Sequence, residues 1–189
     1  MVGQAASCGL IWDFAVPESV PASQRWVLST MQSYGPELVT MLWRILGNEQ
    51  DVCDAYQDTF LKLAHYEQGR KPEYIKAYIF RTASNTAMSI LRHRIAERKN
   101  LSMISSSEKN ASSAADELDF KNLQQTLRFN IAQLPEHLRN VITLHDLAEL
   151  SYTQIGRILC ISEATARVYR CKAVQLLAVW MSKEKEEGQ

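Results

Sequence analysis

The side chains in this sequence with the types and spacing for chemistry fall into three stripes, and each suits recognition of a charged surface. At helical spacing, Thr165, Arg167, Val168, Cys171, Lys172 and Gln175 point outward, opposite Ala166, Tyr169, Ala173, Leu177 and Trp180. That face has what a helix needs to enter a major groove. Arg167 and Lys172 bind phosphate or guanine edges, Gln175 pairs with adenine, and Val168 or Thr165 meets a thymine methyl. A helix pair used only for packing is the alternative. A second stripe, Arg81, Ser84, Asn85, Met88 and Arg92, lies opposite Ile79, Ala83, Thr86 and Ile90 and continues into His93, Arg94, Arg98 and Lys99. Glu97 is its only acid, so it is either a solvated basic face or a strip that follows a phosphate backbone. In the latter reading Ser84 and Asn85 reach base edges or unpaired bases. The third stripe is acidic: Asp51, Asp54 and Asp58 lie within about 60° of one another on a helix. They are either solvated first-turn acids favoured by the helix dipole or a docking stripe for a basic partner.

Helices must carry all three stripes, because no alternating β-branched run and no Asn-Gly or Asp-Gly hairpin occurs anywhere. The expected class is all-α, two small helical domains on a flexible linker. Val52, Tyr56, Phe60 and Leu63 mark the core face of one helix, and a long pattern follows from Pro72 to about Arg98. Phe120, Leu123, Leu127 and Ile131 mark another helix, and Leu134-Pro135 opens one carrying Leu138, Val141, Ile142 and His145. Ser151-Tyr152-Thr153-Gln154 is a capping box, and Ser162 is a second N-cap, with Ile161 placed to staple against Ala166. Two helices joined by Cys160-Ile161-Ser162 make a helix-turn-helix within a four-helix second domain.

The expected boundaries are a loose extension over 1–22, a first domain over 23–100, a Ser-rich linker over 101–116, a second domain over 117–182 and a tail over 183–189. Balanced charge, 21 Lys plus Arg against 21 Asp plus Glu, makes any nucleic-acid surface local. The apolar stretch Leu38–Leu46 is broken by Arg44 and is too short to span a membrane, and no signal-peptide pattern precedes Cys8. The expected location is the cytoplasm, with Cys8, Cys53, Cys160 and Cys171 as reduced thiols. His137, His145 and Cys160 lack metal-ligand spacing; neither a metal nor another cofactor is expected, and the absence of a phosphate loop or an activated nucleophile argues against an enzyme.

Taken together, the two halves resemble an extracytoplasmic-function (ECF, group IV) sigma factor of the sigma-70 family. DVCDAYQDTFLKL, from Asp51 to Leu63, is similar to the family's D-x-x-D-x-x-Q-E-T-F-L-x-x-W. AYIFRTASNTAMSILRHR, from Ala77 to Arg94, is similar to A-W-L-Y-R-I-A-x-N-x-A-x-D-x-L-R-R. In the second half, SYTQIGRILCISEATARVYRCKA resembles S-Y-x-E-I-A-x-x-L-x-I-S-x-G-T-V-x-S-R-L-x-R-A. The resemblance implies that Asp54, Gln57, Asp58 and Phe60, with Asp51 of the same stripe, dock the β′ clamp helices of core RNA polymerase. It implies that Arg81, Asn85 and Arg92, with Ser84 and Met88 of their stripe, read the −10 element of promoter DNA. The segment from Tyr66 to Tyr74 would then lie near a base flipped from the non-template strand. The face from Thr165 to Gln175 would read the −35 element, beside the polymerase β flap. An anti-sigma factor is a further partner class that the family admits.

The sequence departs from the pattern at Cys53, Ala64, Tyr78, Ser84 and Ser89, and in the helix-turn-helix at Cys160, Val168, Tyr169 and Arg170, which leaves fewer cations on the groove face. A helix-turn-helix regulator that binds duplex DNA by itself remains open as the alternative, although it leaves the acidic stripe without a role.

Overall fold

The computed structural model describes residues 22–66, 71–104 and 115–187. Among these are seven α-helices and no strand: α1 (Ala22–Leu46), α2 (Glu49–Ala64), α3 (Ile75–Ile104), α4 (Ala115–Gln133), α5 (Glu136–Ile142), α6 (Tyr152–Leu159) and α7 (Glu163–Glu187). A π-helical turn, Thr143–Leu147, continues α5. The all-α expectation holds.

Helices α1, α2 and α3 pack pairwise into a three-helix bundle. Leu38, Met41, Leu42 and Ile45 of α1 meet Val52, Tyr56 and Leu63 of α2 and Ile79, Phe80 and Ala83 of α3 in a core from which water is excluded. Pro36 lies inside α1, where its ring removes a ladder hydrogen bond. Four buried side chains just beyond it, each stabilising by about 1.5–3 kcal/mol, outweigh a proline cost of about 3 kcal/mol. Gly47 ends α1 with φ +73°, its N–H reaching Trp43 O at 2.9 Å. Asn48 then caps α2 by accepting from the Asp51 N–H at 3.0 Å.

Helices α4 to α7 form the second bundle, with α5 and α7 in its centre. Ser151 and Gln154 make the reciprocal capping box at the start of α6, and Ser162 Oγ accepts from the Thr165 N–H at 3.0 Å at the start of α7. Between them Cys160 takes the left-handed conformation (φ 56°) that usually calls for glycine. The turn folds back so tightly that Ile161 N–H bonds Gly156 O at 3.0 Å, and a Cβ on Gly156 would stand 2.7 Å from Ile161 O. Gly156→Ala will therefore destabilise the chain, although alanine alone favours a helix by about 1 kcal/mol. A thermal melt checks the sign, and a rise in Tm would contradict this packing.

Some boundaries differ from expectation. α3 continues through Ile104 and α4 begins at Ala115, so both helices extend into the segment read as linker. α7 runs to Glu187, through the segment read as a loose tail, because its helical pattern has no breaker before Gly188. The reading of residues 1–21 and of the linker core, 105–114, lies outside the described residues. No helix among the described residues is long and apolar enough to cross a membrane.

Candidate functional site

On α2 the acidic stripe divides. Asp54, Gln57 and Asp58 are exposed together, and Leu61, 57% exposed, adds an apolar contact three residues beyond Asp58. Asp51 is a correction: it is 6% exposed, pairs with Arg94 Nε of α3 at 2.7 Å and accepts from Asn48 Nδ2 at 2.8 Å. It fastens α2 to α3 and is withdrawn from any docking surface. Phe60 is also a correction, since its ring lies in the core (5% exposed), 4.7 Å from the ring of Tyr56. Its place four residues after Tyr56 and eight after Val52, on the helical repeat, signalled this burial.

On α3 the basic stripe narrows. Arg81, Asn85 and Arg92 are exposed along one line of the helix, whereas Ser84 and Met88 are buried at 3% and 4%. These two are corrections with one cause. α3 packs against α1 and α2 on one side and against α4, α6 and the π turn on another, so its buried arc is wider than a surface helix would have. Ser84 Oγ finds no hydrogen-bond partner there among the described residues. Arg92 donates from Nε and Nη2 to Ala132 O at 3.2 and 3.1 Å. Of the segment from Tyr66 to Tyr74, residues 67–70 lie outside the described ones; the ring of Tyr66 meets Tyr78 edge-on at 4.6 Å, and Tyr74 is exposed.

The outward face of α7 matches the sequence reading: Arg167, Val168, Cys171, Lys172 and Gln175 are exposed, and Thr165 is half-buried beside its cap. The Arg167 guanidinium sits 5.2 Å from the ring centre of Tyr152 and 3.6 Å from Glu163. Tyr152 stacks on His145 in turn, at 4.2 Å, so a column of rings steadies Arg167 at the mouth of the helix-turn-helix. The departures Tyr169 and Arg170 acquire roles in holding α7. Tyr169 packs edge-on against His137 at 4.9 Å, while Arg170 makes a forked pair with Asp146 of the π turn. Hydrogen bonding to Asp146 raises the Arg170 pKa and keeps its charge fixed. Among the described residues, Cys53, Cys160 and Cys171 form no disulfide. No group of His, Cys, Asp and Glu among the described residues could hold a metal ion.

Two family models match the chain. Sigma-70 region 2 covers residues 30–96 and sigma-70 region 4 covers residues 125–177. The chain is an ECF-type member of the sigma-70 family. It is 28% identical to the ECF RNA polymerase sigma factor SigM of Bacillus subtilis (77% of this chain, 89% of the relative) and 25% identical to SigW of the same organism (71% and 77%). It is also 22% identical to SigE of Mycolicibacterium smegmatis, over 83% of this chain, and spans 62% of that relative's length. A solved structure of CnrH in complex with the cytosolic domain of CnrY shares the fold, with a TM-score of 0.54, 20% identity and coverage of 85% of this chain and 90% of that one.

In sigma-70 terms, region 2 contains both the acidic surface of α2 and the basic line of α3, while region 4 contains the helix-turn-helix. Sequence periodicity missed the side chains that join the two regions. Arg44, Arg128 and Glu149 form contacts across 84 to 105 residues of chain. Arg139, buried and donating to Leu134 O at 3.0 Å, is a structural member of region 4, and its burial lowers its pKa.

Proposed function

We propose that this chain is a promoter-specificity subunit of RNA polymerase, a group IV sigma factor that makes or breaks no bond itself. The observation that carries this is the separation of charge within one small bundle: exposed Asp54, Gln57 and Asp58 on α2, exposed Arg81, Asn85 and Arg92 on α3. An acidic surface suits the basic β′ clamp helices of the core enzyme. The cationic line suits the separated strand of a −10 element, where binding energy directed to unpaired bases favours melting. Region 4 would then place Thr165, Arg167, Val168, Cys171, Lys172 and Gln175 in the major groove of a −35 element, near the β flap. Such a protein works in the cytoplasm, where polymerase and promoter are. The similarity to CnrH, solved with the cytosolic domain of CnrY, supports a further regulatory protein of anti-sigma type as a partner.

Transcription from upstream fragments with purified core enzyme tests the reading. Arg167→Ala will weaken use of the upstream element by about 1–3 kcal/mol, with discrimination lost at one base position. A uniform loss across all promoter sequences would make Arg167 a phosphate contact instead. Arg81→Ala together with Asn85→Ala should depress open-complex formation and leave polymerase binding intact. Normal melting by that variant would contradict the assignment of α3.

A further inference from the structure

A recess of about 140 Å³ opens where the end of α1, the start of α2, the second half of α3 and the later turns of α4 come together. Asn48, Arg94, Gln125 and Arg128 supply its polar wall, and Leu91, Ile95 and Phe129 supply an apolar one. The two arginines differ in how their charge is met. Arg94 is neutralised: its Nε pairs with Asp51 at 2.7 Å, and its Nη2 donates to Asn48 Oδ1 at 3.4 Å, which fixes the guanidinium on the wall. Arg128 is half-buried, and no carboxylate among the described residues pairs with it. Its Nε donates to Arg44 O at 3.3 Å. The rest of its guanidinium lies over Gly47, where a Cβ would stand 2.5 Å from Cζ and Nη1, so only glycine leaves it room. Burial lowers the Arg128 pKa, yet a guanidinium keeps its proton at physiological pH. The recess therefore holds one positive charge drawn partly out of water and balanced by no acid, an arrangement that an incoming anion relieves. Asn48 is also the N-cap of the 16-residue α2, and the positive end of that helix dipole adds to the potential. Glu49 of the same first turn is exposed and is not part of the recess wall.

We infer that this recess binds a small solute through a phosphate group, with the phosphate on the outer nitrogens of Arg128 beside Arg94 and the rest of the solute along Phe129. Phosphate oxygens match the planar guanidinium fork with two parallel charge-assisted bonds, which is why arginine serves this ligand better than a point charge would. Size points the same way. A volume of 140 Å³ is close to the ~150 Å³ that admits a benzene ring, so a phosphate and the first carbons of its ester fit inside. A recess this small takes the phosphate of a single solute rather than the continuous backbone of a nucleic acid. Phe129 is 41% exposed at the edge of the apolar wall, where a planar group of the solute can lie against its ring. The site goes beyond the sigma reading and does not depend on it, since it needs neither polymerase nor promoter.

The test is isothermal titration calorimetry of the full chain with AMP, inorganic phosphate and adenosine at constant ionic strength. AMP should bind, and adenosine, which lacks the phosphate, should bind at least about tenfold more weakly. Arg128→Gln should lower AMP affinity by at least about tenfold. Gln125→Glu is a second route that leaves Arg128 in place: it sets a carboxylate one helical turn before Arg128, where it pairs with the guanidinium and should lower AMP affinity as far. Arg157→Gln, which removes an exposed cation on α6 away from the recess, should leave the affinity unchanged. AMP binding tighter than phosphate assigns the site to phosphate monoesters, and equal affinity assigns it to inorganic phosphate; either bears the inference out. No binding of AMP or phosphate, adenosine binding as tightly as AMP, or unchanged affinity in both Arg128→Gln and Gln125→Glu overturns it. A loss in Arg157→Gln as large as that in Arg128→Gln also overturns it, because the binding would then be general attraction to surface cations.

Discussion

A chain carrying both Asp54→Arg and Asp58→Arg will no longer co-elute with core RNA polymerase, while its unfolding free energy stays within about 0.5 kcal/mol of the parent's. Both carboxylates are exposed on α2, away from the core face of Val52, Ala55 and Tyr56, so arginine at either position fits without repacking. Reversing two charges turns attraction for a basic partner into repulsion. Like charges juxtaposed at an interface cost several kcal/mol, which corresponds to a loss of more than about 100-fold in affinity. Gel filtration with core enzyme and a denaturant melt measure the two quantities separately. Unchanged co-elution would show that this face of α2 does not meet polymerase.

Phe60→Ala will act in the opposite way, costing about 3–5 kcal/mol of stability through the cavity it leaves. Phe60 is 5% exposed and packs on Tyr56, so its removal hollows the junction of the region 2 helices. Against a typical domain stability of about 5–15 kcal/mol, that loss is large enough that the variant will unfold at a clearly lower temperature than the parent. Polymerase binding will fall in proportion to the unfolded fraction and will recover at lower temperature. A variant as stable as the parent that still failed to bind would return the ring to the docking surface.

These two residues show which parts of the molecule were legible in the sequence. Apolar spacing in α2 places Val52, Tyr56, Phe60 and Leu63 inside, and the structure follows that spacing for Phe60 even where the family resemblance suggested a contact. Capping chemistry was equally direct: Ser151, Gln154 and Ser162 mark the helix-turn-helix, and the outward face of α7 follows from them. Asp51 could not be read in this way, because its partner Arg94 lies on another helix and helical angle alone groups it with Asp54 and Asp58. The burial of Ser84 and Met88 is hidden from the sequence for a related reason. A single helix gives no sign that it will be covered on two sides, as α3 is. α1 carries Gly35-Pro36, a pair that by residue type favours a turn, and tertiary packing carries the helix through it. The arginines that join the two regions leave no periodic trace, since each bond connects residues 40 or more positions apart.

The most direct test of the central claim mixes the purified chain with core RNA polymerase, separates the mixture by gel filtration and maps transcript 5′ ends from a library of upstream fragments. The expected result is co-elution, with initiation at sites that share one −10 and one −35 sequence. A chain that fails to co-elute and instead binds duplex DNA by itself would contradict it and identify an independent helix-turn-helix regulator.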